Sequence, residues 1–129
     1  MKSKKVEAAI NAQINEEIFS AYLYLAMAAQ ADAMGLPGFV NWFKLQYGEE
    51  LAHADRFFNY LLERDGEVIL EAIGKPELSK ETPLTLFEKS LAHEQHITDC
   101  IFKLKDLARS ESDHATCLLY TSPSPRDRG

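Results

Sequence analysis

Apolar residues recur at spacings of three and four along three long stretches of the chain. The first runs from Lys4 to Ala33, where Val6, Ile10, Ile14, Ala21, Tyr24, Met27 and Ala28 share one helical stripe. It is rich in Ala and holds neither Pro nor Gly, so a helix continues until the breakers of Gly35-Leu-Pro-Gly38. The second runs from Phe39 to Asp65, with Phe39, Phe43, Gln46, Glu50, His53, Phe57, Tyr60 and Leu61 on the inner stripe and Gly66 as the expected C-cap. The third opens at Glu81-Thr82-Pro83, a helix start with Thr82 as N-cap and Pro83 at the first helical position. Its stripe is Leu84, Phe87, Leu91, Glu94, Thr98, Ile101, Leu104 and Ala108.

The connections predict the topology. About four residues join the first two helices, which makes them an antiparallel hairpin. The second link, Glu67 to Lys80, is 14 residues long. A helix the length of the second stretch measures roughly 40 Å, and an extended link of this length reaches roughly 46 Å. The link can therefore run along the whole bundle and start the third helix parallel to the second. The expected fold is all-α: an up-down four-helix bundle with one long crossover, of which the first three helices are present.

Composition narrows the classes. A chain of 129 residues fits one domain, and 46% hydrophobic with 26% charged residues excludes wholly disordered or low-complexity readings. The net charge of −6 leaves no basic surplus for phosphates, so nucleic acid is a poor partner and cations are better ones. Two cysteines make no disulfide framework. The basic start leads straight into Val6-Glu-Ala-Ala without an apolar signal core, and the weakly polar run Ile18 to Ala29 is too short for a membrane span. A cytoplasmic protein without a membrane partner is expected.

The end of the chain departs from this pattern. Cys117 to Gly129 has no core periodicity, and Pro123 and Pro125 oppose a helix. Cys117 to Asp127 can be encoded by eleven consecutive codons of the mosaic-end adapter used in transposase-based sequencing libraries. Residues 1–116 are therefore expected to form the domain, and 117–129 to be a non-native tail.

What interrupts the apolar stripes carries the chemistry. Glu17 sits among Ile10, Ile14, Ala21 and Tyr24; Glu50 and His53 sit between Phe43 and Phe57; Glu94 sits between Leu91 and Ile101. Each helix thus places a carboxylate mid-length on its inward face. A buried carboxylate costs several kcal/mol unless paired or bound to a metal. Several converging at one level also repel, and a multivalent cation removes both costs. Glu50-x-x-His53 projects from one helix face, so both side chains can grip one ion while the second oxygen of Glu50 reaches another. Mixed O/N ligation suits Fe, Mn or Zn rather than Ca or Mg, and glutamates from some helices with Glu-x-x-His from others form the di-iron carboxylate pattern of bundles. Glu16, His93 and His96 read as surface residues beside these, Glu49 as a solvated or secondary-site neighbour of Glu50, Cys100 as a small buried or boundary hydrophobe, and Trp42, Phe43 and Phe57 as core.

Together Ile14-Asn-Glu-Glu-Ile-Phe-Ser-Ala-Tyr-Leu-Tyr-Leu25, Glu49-Glu50-Leu-Ala-His53-Ala and His93-Glu94-Gln95 resemble the non-haem bacterial and archaeal ferritins over Lys4 to Thr116. The resemblance implies a 24-subunit cage that oxidises Fe(II) with O2 or peroxide at a di-iron centre and stores ferric mineral. It implies Glu17, Glu50 and His53 as ligands of the first iron with Glu50 bridging, Glu94 as a ligand of the second, Tyr24 as the tyrosine beside the centre, and Glu49 as a contributor to a third, transit iron site. Haem is not expected, because Leu51 and Ala52 stand where bacterioferritins carry a haem-ligating Met. The family continues into a fourth long helix that closes the bundle and supplies another ligand. Adapter-like sequence stands there instead, so an exposed apolar groove, impaired activity and irregular association are expected of this chain. A rubrerythrin-like peroxidase is the rival enzyme, although no Cys-x-x-Cys module is present. A sequestering cage subunit without ferroxidase activity is the rival binding protein.

Overall fold

The computed structural model describes residues 1–119, and within them every regular element is helical. Helix α1 spans Lys4–Ala33, α2 Pro37–Glu63, α3 Pro83–Ser110 and the short α4 His114–Leu118. Among the described residues no helix is long and apolar enough to cross a membrane. Pro123 and Pro125 lie outside the described residues.

Helix boundaries follow from local chemistry. Ser3 caps α1 by accepting from the Val6 amide. The expected start of α2 shifts two residues back, because Pro37, whose fixed φ and missing N–H suit the first helical position, takes it. Thr82 caps α3 in a reciprocal box: its hydroxyl accepts from the Thr85 amide at 3.1 Å, while its own amide donates to the Thr85 hydroxyl at 2.8 Å.

All three long helices end in the same motif. The Leu36 amide donates back to the Ala31 carbonyl and Gly35 to Asp32; Gly66 donates to Leu61 and Asp65 to Leu62; Asp113 donates to Ala108 and Ser112 to Arg109. These are paired six-to-one and five-to-two bonds of the Schellman type. The residue in the left-handed region is Gly35 in α1, with φ +71°, but Asp65 and Ser112 in the other two. The expected Gly66 cap therefore moves: Asp65 takes the strained position and Gly66 sits one residue on, where a Cβ would meet the Leu61 side chain at 3.1 Å.

Helix α1 is the spine, and both other long helices pack on it. Tyr24 meets Phe43, and Glu17 meets His53, so α2 runs antiparallel to α1. Ser20 meets His93, and Ser3 meets Glu111, so α3 is also antiparallel to α1 and hence parallel to α2. The crossover between α2 and α3 is pinned at both ends by amides of α1. Asn11 donates to the Glu67 carbonyl and accepts from the Ile69 amide, both at 2.8 Å. Gln30 donates to the Ser79 carbonyl at 2.7 Å and accepts from the Glu81 amide at 3.0 Å. Asn11 and Gln30 stand nineteen positions apart, roughly 28 Å along the helix, so the link does run lengthwise along the bundle.

The core has two apolar ends. Val6, Ile10, Ile14, Phe57, Leu61 and Leu104 form one cluster. Leu23, Tyr24, Met27, Ala28, Ala31, Phe43 and Leu86 form the other. Between them lies a buried polar band that includes Gln13, Glu17, Ser20, Gln46, Glu50, His53 and Ser90.

The α3 stripe differs from expectation. Leu86, Ser90, Ile97, Leu104 and Ala108 are buried, whereas Leu84, Phe87 and Leu91 are at least half exposed and Thr98 is exposed. A bundle helix touches two neighbours, so its apolar surface is wider than one stripe, and here only the part facing α1 is covered. Trp42 was expected in the core but is 42% exposed. With Phe39, Phe43 and Phe87 it lines an apolar cleft between α2 and α3, which is the groove the sequence predicts.

Candidate metal centre

The polar band places three of the expected ligands together. Glu17 comes from α1, and Glu50 and His53 come from successive turns of α2. The first two are fully buried and His53 is 5% exposed. One ligand atom from each lies within 4.8 Å of the others. His53 Nδ1 is 3.6 Å from Glu17 Oε2 and 3.9 Å from Glu50 Oε2. The i, i+3 spacing puts the imidazole and the carboxylate of α2 on one face, and the antiparallel pairing brings Glu17 opposite. Two carboxylates and one imidazole at this separation fit a borderline divalent cation.

Glu94 comes from the third long helix. It is half-buried on α3, and its carboxylate accepts a hydrogen bond from the Tyr24 hydroxyl. Tyr24 is fully buried, stacked on Phe43 with centroids 6.2 Å apart and edge-on to Trp42 and His93. Tyr24 thus ties Glu94 to the wall between the two helices. Glu49 is half-buried one residue from Glu50, and its Oε2 is buried without a hydrogen-bond partner among the described residues.

Several polar residues near the band were misread or missed in the sequence. His93 was expected on the surface; instead its Nε2 lies 2.6 Å from Ser20 Oγ, and its ring packs on Phe19 and Tyr24. Burial holds its pKa below the ordinary imidazole value, helped by the neighbouring His96 charge and opposed by Glu16 and Glu17. Glu16 was read as a solvated charge, but it is half-buried and pairs with His96 at 3.0 Å. Gln13 donates to Glu17 Oε1 at 3.1 Å and orients that carboxylate. The available signal was spacing: Gln13 precedes Glu17, and Gln46 precedes Glu50, by four residues, one turn of the same face.

Comparison with known proteins then decides the family. A family model described as a ferritin-like domain matches residues 7–122. The chain belongs to the ferritin family. It is 38% identical over 116 residues to the bacterial non-heme ferritin of Staphylococcus epidermidis, covering 90% of this chain and 70% of that relative. The Staphylococcus aureus protein of the same name is 36% identical over the same shares of each chain. Among solved structures, an open pore ferritin from the hyperthermophilic archaeon Archaeoglobus fulgidus superposes with a TM-score of 0.88 at 44% identity, covering 92% of this chain and 74% of that one. A humanized archaeal ferritin gives 0.86 at 45% identity, covering 91% and 72%. The ferritin bundle architecture is therefore that of this chain, and membership supports iron storage as its role.

Proposed function

We propose that the parent protein of this chain is an iron-storage ferritin subunit that oxidises Fe(II) at a centre built on Glu17, Glu50, His53 and Glu94, and that the chain with its adapter-like tail is impaired in that activity. The observation that carries the reading is the burial of two carboxylates and an imidazole with ligand atoms within 4.8 Å of one another, between two apolar clusters. Nothing in ordinary core packing calls for such a band, and a bound cation compensates its desolvation cost. Fe(II) is the substrate. Glu17, Glu50 and His53 hold one ion, with the second oxygen of Glu50 shared towards another, which Glu94 helps to hold. Two Fe(II) give one electron each to O2; with two protons this yields two Fe(III) and one H2O2. The protein contributes positioning and negative charge, which favours Fe(III) over Fe(II). Tyr24 fixes the Glu94 carboxylate through its hydroxyl, and Glu49 serves an adjoining transit site.

The reading extends to the assembly. In the parent protein the product Fe(III) is stored as mineral inside a homo-oligomeric cage of 24 subunits in the cytoplasm, without haem. Residues 1–116 form the domain and 117–129 derive from adapter sequence, which a genomic read past the Thr116 codon tests.

An oxygen electrode tests the activity. Adding Fe(II) to the parent protein, with its native sequence in place of the adapter-like tail, should consume O2 at about one molecule per two irons, and Glu50→Ala should reduce the initial rate at least tenfold. Uptake that is unchanged in Glu50→Ala would overturn the assignment.

A further inference from the structure

A second cluster of metal-ligating side chains lies on the α1–α3 seam, away from the face where Glu17 meets α2. Glu16 comes from α1, and His96 and Cys100 come from one face of α3, four residues apart. His96 Nε2 lies 3.0 Å from Glu16 Oε2 and 3.6 Å from Cys100 Sγ, and one ligand atom from each residue lies within 4.8 Å of the others. We propose that Glu16, His96 and Cys100 form a site for a single divalent cation of the Zn(II) class, distinct from the iron centre.

The separations match that chemistry. A tetrahedral Zn(II) with bonds of about 2.0–2.3 Å holds its nitrogen and sulfur ligands about 3.6 Å apart and its nitrogen and oxygen ligands about 3.3 Å apart. The two separations from His96 therefore need only a few tenths of an ångström of adjustment to take the ion. Three protein ligands leave one position for water, and a groove between α1 and α3 opens onto Glu16 and Cys100 to admit it. A set of one carboxylate, one imidazole and one thiolate favours a borderline or soft ion over Mg or Ca. Burial and the Glu16 charge keep the Cys100 thiol protonated beyond its ordinary range. Binding therefore forms the metal–sulfur bond as the S–H bond breaks, with the proton released to solvent. The bound ion ties α3 to α1 at mid-length, a clip independent of the iron centre.

The probe is Co(II), which reports thiolate ligation through its charge-transfer absorption. Anaerobic titration of the reduced full chain with Co(II) should develop a thiolate band at one equivalent, and Zn(II) should abolish it by displacement. Cys100→Ser and His96→Ala should each lose the band or weaken Co(II) binding at least tenfold. Cys117→Ser and Glu50→Gln should keep it, which separates this site from the other thiol and from the iron centre. A second measurement needs no variant: Zn(II) should slow alkylation of Cys100, followed by mass spectrometry, at least tenfold while leaving Cys117 unprotected. Absence of a thiolate band in the unaltered chain, a band that survives Cys100→Ser, or equal alkylation of Cys100 with and without Zn(II) would each overturn the proposal.

Discussion

Glu50→Gln should make the iron-free protein more stable while removing its response to iron. Glu17 and Glu50 are fully buried with ligand oxygens within 4.8 Å. Two like charges at that distance repel by about 3 kcal/mol at an effective dielectric of about 20. His53 Nδ1, 3.6 Å from Glu17 and 3.9 Å from Glu50, can donate to at most one of the two carboxylates, and both carry the cost of desolvation. Glutamine keeps the shape, removes one charge and leaves Glu17 paired with His53. The expected gain is about 1–3 kcal/mol, in the range seen when buried ionic groups are replaced by neutral ones. In a chain of this size, each kcal/mol moves the melting temperature by about 4 °C, so the variant should melt about 4–12 °C higher in the presence of a chelator. The assay is thermal unfolding followed by far-ultraviolet circular dichroism, with and without anaerobic Fe(II). Iron should raise the melting point of the unaltered chain, because a ligand bound to the native state stabilises it, and should leave the variant nearly unmoved. If Glu50→Gln lowers the chelated melting point by several degrees, the carboxylate supports the fold by itself and the reasoning for a cation fails.

Three further outcomes test the fold around the centre. Phe57→Ala, at a position 1% exposed inside the cluster of Val6, Ile10, Ile14, Leu61 and Leu104, should cost about 3–5 kcal/mol, read as a matching loss in urea unfolding. Asn11→Leu should release the start of the crossover, seen as at least tenfold faster hydrogen exchange at the Ile69 amide, with a stability loss of about 1–2 kcal/mol. Glu81 is held below its ordinary value of 4.5, first by the hydrogen bond from Lys89, so its contribution to stability is present above that value and is lost as pH falls through the lowered pKa; Lys89→Met should flatten that part of the pH–stability curve.

The parts of the fold that were legible in the sequence are those set by local spacing. The extent of α1 follows from an unbroken run between Ser3 and Gly35, and the α3 start follows from Thr82-Pro83. The trio Glu17, Glu50 and His53 was legible because each interrupts an apolar stripe, a violation that core packing does not tolerate without a reason. Which face of α3 meets α1 was not legible. Leu84, Phe87 and Leu91 on one side and Leu86 and Ile97 on the other are all apolar, so periodicity alone cannot choose between them. The error carried over to His93 and Glu16, whose partners lie across the seam and depend on that choice; His96 is exposed, as the sequence suggests. The Asn11 and Gln30 pins escaped for a similar reason: their partners are backbone groups of the crossover, which leave no side-chain pattern to read.

The most direct test of the iron centre is an iron-edge anomalous difference map from crystals of this chain soaked anaerobically in Fe(II). The account predicts a peak within bonding distance of Glu17, Glu50 and His53, and its disappearance in Glu50→Ala crystals. Strong iron peaks elsewhere in the molecule, with none between α1 and α2, would contradict it.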